Sequence, residues 1–279
     1  FFMRSNGTER KIRMKQKKHV GKRLLAGLLG AVLLQTAVSV PSGLQASAAD
    51  EVEYNYAKAL QYSIYFYDGN MCGTEVAENN RYQWRGNCHT YDAQVPLQPM
   101  GEDKVGTNLS QSFIDQYRDI LDPDGDGYVD VSGGFHDAGD HVKFGMPENY
   151  AASTLGWAYY EYKDQFQKTG TTAHFKVISD EFNEFFKRCT TLSGDTVTSF
   201  IYEVGDDGSD HAKWWAPEQM WDHSSSETYS TTDGASDIAA QYAASLAQSY
   251  LNFGNEEDLK YAVALYNFAT KYRKITYEQ

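Results

Sequence analysis

Apolar side chains recur every three to four residues through much of the chain after residue 50, which is the spacing of amphipathic helices. The pattern is strongest near 173–190, where phenylalanine occupies most of the apolar positions. It predicts a helix there that buries one aromatic face. Other predicted helices cover 51–67, 149–168, Ser236 to about Leu251 and Asn255 to about Lys271, with Ser236 and Asn255 as N-caps.

Two long polar segments, 68–134 and 193–235, lack this periodicity and are rich in Gly, Asp and Ser. A strand-like pattern is found only at Thr198–Val204. Long helices joined by polar loops that carry aromatic residues predict an all-α scaffold with its functional site built on the loops.

The first 49 residues have the composition of a secretory signal peptide. Basic residues precede an apolar stretch over 24–40, and the small residues at 46–49 resemble a cleavage site. A membrane anchor is the alternative, but two polar residues interrupt the stretch and it is short for a span of ~20 residues. We therefore expect cleavage near Ala48 or Ala49 and a secreted, extracellular mature chain that is not held in a membrane.

The charge distribution excludes one class of partner. The first 49 residues hold nine of the 25 basic residues and one of the 38 acidic residues, so the remainder has a net charge of −21. A surface this acidic repels phosphate backbones and argues against nucleic-acid binding. It is compatible with a soluble protein whose partner is a neutral polymer.

The run Ser132–Pro147 holds the most informative chemistry, because it sets Asp137 and Asp140 three residues apart among glycines and aromatic residues. Two carboxylates this close repel, and burial raises the pKa of at least one of them. Such a carboxylate can hold and deprotonate a water molecule. An Asp/Gly turn is the alternative for an isolated motif of this kind.

Three further segments accompany this run in a fixed order. They are Arg81–Gly86, the Val-Gly-Asp and Asp-His-x-x-Trp-x-x-Pro-Glu segment within 204–218, and Gly234–Ala240. Together with Gly133–Pro147 they resemble the signature segments of glycoside hydrolase family 9, the endoglucanases and related cellulases. The resemblance extends from about Tyr54 to Tyr272.

The resemblance implies an (α/α)6 barrel, a six-hairpin toroid in which loops line a substrate cleft. Residues 50–279 are about half the length of such a catalytic domain, so we expect its N-terminal portion, truncated to about the first half of the barrel. Apolar helix faces would then be uncovered, and the fragment is expected to be poorly soluble or to oligomerise.

The resemblance also implies a reaction, the inverting hydrolysis of β-1,4-glucosidic bonds in cellulose or related β-glucans. Asp140 matches the general base and Asp137 the residue that orients the same water, while His211 and Trp214 match residues that contact sugars. Core packing is the alternative for Trp214. The general-acid glutamate is expected beyond the end of the chain, as are any carbohydrate-binding or dockerin modules.

Asp122, Asp124 and Asp126 have the spacing of the first three ligands of an EF-hand loop. Position 12 of that loop is Gly133 instead of a bidentate Glu. A structural Ca²⁺ site and an Asp/Gly turn therefore both remain open. No cofactor is expected to be required for the chemistry.

Cys72 and Cys88 lie sixteen residues apart in a loop of a chain predicted to be secreted, which favours a disulfide. A zinc site that uses His89 is the alternative, although it needs two more ligands. Cys189 falls on the apolar face of a predicted helix and is expected to be a buried free thiol.

The favoured function is thus an incomplete endoglucanase chain that lacks its general acid. A glucan-binding fragment without catalytic activity is the first alternative. A structural calcium protein, in which Asp137 and Asp140 bind metal, is the second.

Overall fold

A computed structural model describes residues 54–210, 212, 214–220 and 227–275. The predicted signal peptide, residues 1–49, and the predicted sugar contact His211 lie outside the described residues. Within those ranges, no helix combines the length and the apolar character needed to span a bilayer.

The long helices lie where the periodicity predicts them. The segment predicted as 149–168 is divided into two helices, with Tyr162 between them in a non-helical conformation. The helices are α1 Tyr56–Asn70, α2 Val76–Asn79, α3 Gln111–Leu121, α4 Gly145–Glu161, α5 Lys163–Lys168, α6 Thr172–Arg188, α7 Asp207–Asp210, α8 Ser236–Phe253 and α9 Glu256–Tyr272.

The two predicted N-caps differ in outcome. Asn255 caps α9 as predicted, and its side chain accepts hydrogen bonds from the backbone N–H groups of Glu257 and Asp258. Ser236 was predicted as a cap but is the first residue of α8, and the capping position is Ala235 in a left-handed conformation. The Ser236 hydroxyl instead accepts a hydrogen bond from the Lys274 N–H at the end of α9.

The predicted aromatic face of α6 forms the centre of the core. Phe175 stacks on Tyr159 of α4 with ring centroids 4.7 Å apart, and Phe186 stacks on Tyr242 of α8 at 4.3 Å. These side chains are almost fully buried. Each such ring removes a large apolar area from water, so α6 fixes the positions of the helices on either side of it.

Strands are more extensive than the sequence pattern indicated, within a scaffold that is mainly helical as predicted. The segment 193–235, predicted as loop apart from Thr198–Val204, holds one strand of a hairpin and a further strand because its β-branched and aromatic residues favour strand pairing. A sheet in the order β2–β7–β6–β4, with β5 also paired to β6, and a small β1–β3 pair are present in the described ranges. The strands are β1 Val95–Pro96, β2 Gly106–Thr107, β3 Tyr128–Val129, β4 Lys143–Phe144, β5 Thr190–Ser193, β6 Thr196–Val204 and β7 Glu227–Thr231.

This sheet connects the loops to the helical scaffold. The short strand β4 immediately precedes α4 and pairs with the end of β6, so that Lys143 lies opposite Val204. Lys143, three residues after Asp140, is thus paired to the nine-residue strand β6, and this pairing anchors the end of the loop that carries Asp140.

Candidate active site

The loop that carries Asp137 and Asp140 is hydrogen-bonded at its start to the end of α1 and the residues that follow it. Its Gly134 carbonyl accepts from Cys72 N–H at 2.8 Å, and its His136 N–H donates to the Asn70 carbonyl at 2.9 Å. Both bonds reach the chain that leaves α1, so the start of the loop is fixed relative to that helix.

A buried lysine supports the same loop from beneath. The Lys143 ammonium donates to the carbonyls of Val131 and Gly133 at 2.8 and 3.1 Å and pairs with Asp92 at 2.8 Å. Burial alone would lower the pKa of Lys143, but the neighbouring Asp92 carboxylate outweighs it and raises the pKa. The lysine is therefore a permanent cation under the loop.

The two aspartates have different environments. Asp137 is exposed, whereas Asp140 is buried, with 8% of its surface accessible. Trp214 lies directly against Gly139, next to Asp140, because a Cβ atom placed on Gly139 would overlap the six-membered ring of the indole. A glycine at 139 is therefore what allows this indole to approach the backbone between the two acids.

Trp214 is not a core residue. Its side chain is 85% exposed, so the core-packing alternative for it is wrong. Trp215 is half-buried, and an open surface depression is formed by Trp214, Trp215, Ala216 and Gln219. An exposed indole face next to two carboxylates can pack on the apolar face of a sugar ring.

An ion pair ties this tryptophan segment to the loop after α1. Arg85 Nε donates to Glu218 Oε1 at 2.6 Å, and the Gly86 N–H donates to the same oxygen at 3.1 Å. Burial alone would raise the pKa of Glu218, but the hydrogen bond and charge of Arg85 together with the backbone hydrogen bonds, including that from the Gly86 N–H, outweigh burial and lower the pKa. Glu218 is therefore an ionised structural carboxylate, unsuited to donate a proton.

The three aspartates of the predicted calcium loop do come together. Carboxylate oxygens of Asp122, Asp124 and Asp126 lie within 4.8 Å of one another. Asp122 and Asp126 also accept hydrogen bonds from the N–H groups of Gly127 and Tyr128, which tighten the turn. This donor set of hard oxygens fits Ca²⁺, although the hydrogen bonds alone would also stabilise a turn.

The predicted disulfide is not formed, because Cys72 and Cys88 are both free and buried. The zinc alternative gains one ligand that the sequence did not reveal, His136, and this completes a set of four. The Sγ atoms of both cysteines and one ring nitrogen each of His89 and His136 lie within 4.8 Å of one another. His136 adjoins Asp137 and was assigned no role from the sequence. In the sequence, the signal available for this metal cluster was the occurrence of Cys72 sixteen residues before the adjacent pair Cys88-His89. Cys189 is free and buried, as predicted.

The chemistry of this four-residue cluster fits zinc. Burial lowers the pKa of His136 to about 4, which leaves its imidazole neutral. The hydrogen bond with Cys72 lowers the pKa of Cys88, so the pair retains a thiolate. The buried ring nitrogens of both histidines also have no hydrogen-bond partner in the described part of the chain. Two thiol sulfurs and two imidazoles are a tetrahedral zinc donor set.

Comparison with known proteins identifies the family. The profile of Glycosyl hydrolase family 9 matches residues 56–279. This chain belongs to glycosyl hydrolase family 9. The match includes both aspartates, the tryptophan segment and both possible metal clusters.

Solved family 9 structures share the fold. The catalytic domain of Clostridium thermocellum CelT is 53% identical, with a TM-score of 0.74 over 79% of this chain and 45% of CelT. The cellulase Cel9M of C. cellulolyticum is 34% identical, with a TM-score of 0.57 over 78% of this chain and 44% of its own, and it has also been solved with cellobiose. The helices of this family 9 chain accordingly form part of an (α/α)6 barrel.

Curated relatives are longer than this chain. Endoglucanase A of Bacillus pumilus is 31% identical over 235 residues, which are 81% of this chain and 30% of the relative. The family 9 chain thus spans less than half the length of the relatives and structures compared with it.

Proposed function

We propose that this family 9 chain acts on β-1,4-glucans such as cellulose as the N-terminal portion of an endoglucanase catalytic domain. The observation that carries the proposal is the exposed Trp214 indole lying on Gly139, in the loop that carries the two aspartates. The cellobiose complex of the similar Cel9M supports a β-glucan as substrate.

In the proposed reaction the glycosidic bond is hydrolysed with inversion. Asp140 acts as the general base that takes a proton from a water molecule, and Asp137 orients that water towards the anomeric carbon. Trp214 holds the adjacent sugar ring in place by stacking, and His211 supplies a hydrogen bond to a hydroxyl. The proton goes from water to Asp140 as the new C–O bond forms.

Inversion also needs a carboxylic acid on the other face of the sugar, about 6.5–9.5 Å from the base. Glu218 is not assigned this role, because its Oε1 accepts hydrogen bonds from Arg85 Nε and the Gly86 N–H and its pKa is lowered. We therefore place the general acid outside the described residues, and a glucan-binding fragment without hydrolytic activity is the second candidate function.

The decisive experiment measures hydrolysis and binding on the same samples. Reducing-sugar release from carboxymethylcellulose is expected for the wild-type chain if a general acid is present, with an inverted anomer seen by NMR. Asp140→Asn should lower that rate by roughly 10²–10⁴ and leave cellotetraose binding, followed by tryptophan fluorescence, unchanged. The matched control is Asp195→Asn, an exposed aspartate in the turn between β5 and β6.

Each result separates the candidates. Binding without hydrolysis by the wild-type chain supports the glucan-binding fragment. Normal hydrolysis by Asp140→Asn would refute the assigned base, and a loss of both activities with Asp195→Asn would show that the assay reports folding alone.

We further propose structural roles for two metals and an extracellular location. Asp122, Asp124 and Asp126 would hold Ca²⁺, and the cluster of two cysteines and two histidines would hold Zn²⁺; neither ion takes part in the proton transfers above. Metal analysis of the purified chain, with Asp124→Asn and Cys72→Ser as paired variants, tests each site separately. Cleavage near Ala49 in a secreting host tests the signal peptide.

A further inference from the structure

Two glutamates from different helices accept hydrogen bonds from consecutive N–H groups of the catalytic loop. Glu181 of α6 accepts from the Gly134 N–H at 3.1 Å, and Glu148 of α4 accepts from the Phe135 N–H at 2.8 Å. These amides lie two to three residues before Asp137. Their direction is therefore set by α4 and α6, the central helices of the core.

The fit at this point is tight. Gly134 has a φ of 78°, and a Cβ atom there would lie 2.5 Å from Glu148 Oε1 and 2.9 Å from the ring of Phe185. Glu148 is itself buried, with 2% of its surface accessible, whereas Glu181 lies at the edge of a cavity lined also by Glu75 and Asp180. The loop backbone thus lies in close contact with side chains of both helices at Gly134.

We propose that Glu148 and Glu181 are positioning residues for Asp137 and Asp140, together forming a clamp on the Gly134–Phe135 backbone. The inference rests on the proposed function for the role of the two aspartates. The clamp itself rests on the hydrogen bonds.

The chemistry explains why glutamates occupy these positions. A buried N–H without an acceptor is costly, and apolar residues on α4 or α6 would leave both amides unpaired. Burial raises the pKa of Glu148 well above its usual range and that of Glu181 to about 7, and a carboxyl oxygen remains an acceptor for the N–H group in either protonation state. Since a misplacement of about 1 Å can cost roughly 10²-fold in rate, a rigid loop directly affects turnover.

The test compares variants that keep or remove the accepting oxygen. Glu148→Gln retains an oxygen for the Phe135 N–H, whereas Glu148→Leu removes it. Ser249→Ala is the matched control, because it also removes one buried hydrogen bond, that from Ser249 to Asp258 at 2.6 Å between α8 and α9. Each variant is studied in the full chain with its zinc and calcium content measured.

Hydrogen exchange of the segment 132–140 and hydrolysis kinetics are the two measurements. With Glu148→Leu we expect about tenfold or faster exchange in that segment and, where the wild-type chain hydrolyses glucan, kcat about 10- to 100-fold lower with KM changed less than about threefold. Glu148→Gln should stay within about threefold of wild type in both, and Ser249→Ala should not change exchange in 132–140.

Equal exchange in 132–140 for Glu148→Leu and Ser249→Ala would overturn the clamp. If the wild-type chain does not hydrolyse glucan, the proposed function fails, and the exchange data still decide whether the clamp exists. Should Glu148→Leu not fold, Glu181→Leu and Glu181→Gln provide the same comparison at the less buried position.

Discussion

Glu227 at the start of β7 is expected to make the stability of the chain fall as the pH rises. Its side chain is 1% exposed, and neither carboxylate oxygen has a hydrogen-bond partner within the described ranges. Burial is the main cause that raises its pKa to about 7, and the charges of Asp206, Asp210 and Glu203 add to it. Lys104, which pairs with Asp206 at 2.8 Å, acts in the opposite direction.

The sign follows from proton binding. Between about pH 4.5, the usual value for Glu, and about pH 7, the folded state holds a proton on Glu227 that the unfolded state has released. The folded state is thus destabilised progressively over that window and by a constant amount above it. One pKa unit is worth about 1.4 kcal/mol, so the loss between pH 5 and pH 8 is ~2.5 kcal/mol.

Glu227→Gln removes this titration and keeps the side-chain size. We expect the free energy of unfolding of Glu227→Gln, relative to wild type, to rise by ~2.5 kcal/mol from pH 5 to pH 8, or by roughly 5–10 °C in Tm. Urea and thermal unfolding at both pH values measure it. Comparing the two pH values cancels any pH-independent cost of the amide.

The control is Glu161→Gln, an exposed glutamate at the end of α4. Parallel stability curves for Glu227→Gln and wild type would refute the reasoning, as would a variant that loses stability relative to wild type as the pH rises. A pH-dependent difference of equal size for Glu161→Gln would show that burial is not the cause.

Three further predictions concern the structure around the loops. Replacing the buried Arg85 by Met should cost about 3–5 kcal/mol in urea unfolding because it leaves Glu218 and three backbone carbonyls without their donor; a cost below that of Glu218→Gln would contradict this. Gly134→Ala should lower the free energy of unfolding by about 1–3 kcal/mol more than Gly194→Ala does. Both glycines have a positive φ, but of the two only Gly134 has neighbouring atoms that a Cβ would overlap; equal losses in thermal unfolding would disprove the clash. A zinc-selective chelator should lower the free energy of unfolding of the wild-type chain by ~4 kcal/mol if zinc was present at 1,000 times its Kd, and should leave Cys72→Ser, which keeps the Ca²⁺ site, unaffected; calorimetry with one equivalent of zinc added back checks the cause.

The helices could be predicted from the sequence because their apolar spacing reports burial directly. The phenylalanines of α6 and the cap at Asn255 both follow from local rules. The helix α3 was missed within a polar segment, although Ser110 caps it and Ile114 and Leu121 are buried on it. Its apolar face is too short to stand out among the surrounding polar residues.

The sheet was largely missed because its strands are short and their partners lie far apart in sequence. The strand β2 pairs with β7 at a separation of more than 100 residues, and two-residue strands such as β4 carry no periodicity. Only β6, nine residues long, had a detectable pattern, and it was predicted in part.

The candidate site shows the same limit. Asp137, Asp140 and Trp214 were assigned from motifs, but the contact of Trp214 with Gly139 joins segments more than 70 residues apart. His136 was not assigned to the cysteine cluster, since the ligand nitrogen is brought there by backbone pairing between Met71 and Phe135. The spacing of residues along the chain does not indicate contacts between segments that are this far apart in sequence.

The Arg85 guanidinium links two sites that a substrate and a metal would occupy separately. It contacts the Cys88 sulfur at 3.7 Å and the carboxylate of Glu218, which is four residues from Trp214. We expect a metal ion bound at Cys88 to order the Arg85 guanidinium and, through Glu218, the segment that carries Trp214. Coupling of this kind is reciprocal, so a sugar bound at Trp214 should raise the affinity of the cysteine and histidine cluster for its metal by the same factor by which the metal raises the affinity for the sugar. The two affinities should therefore be measured each with and without the other ligand.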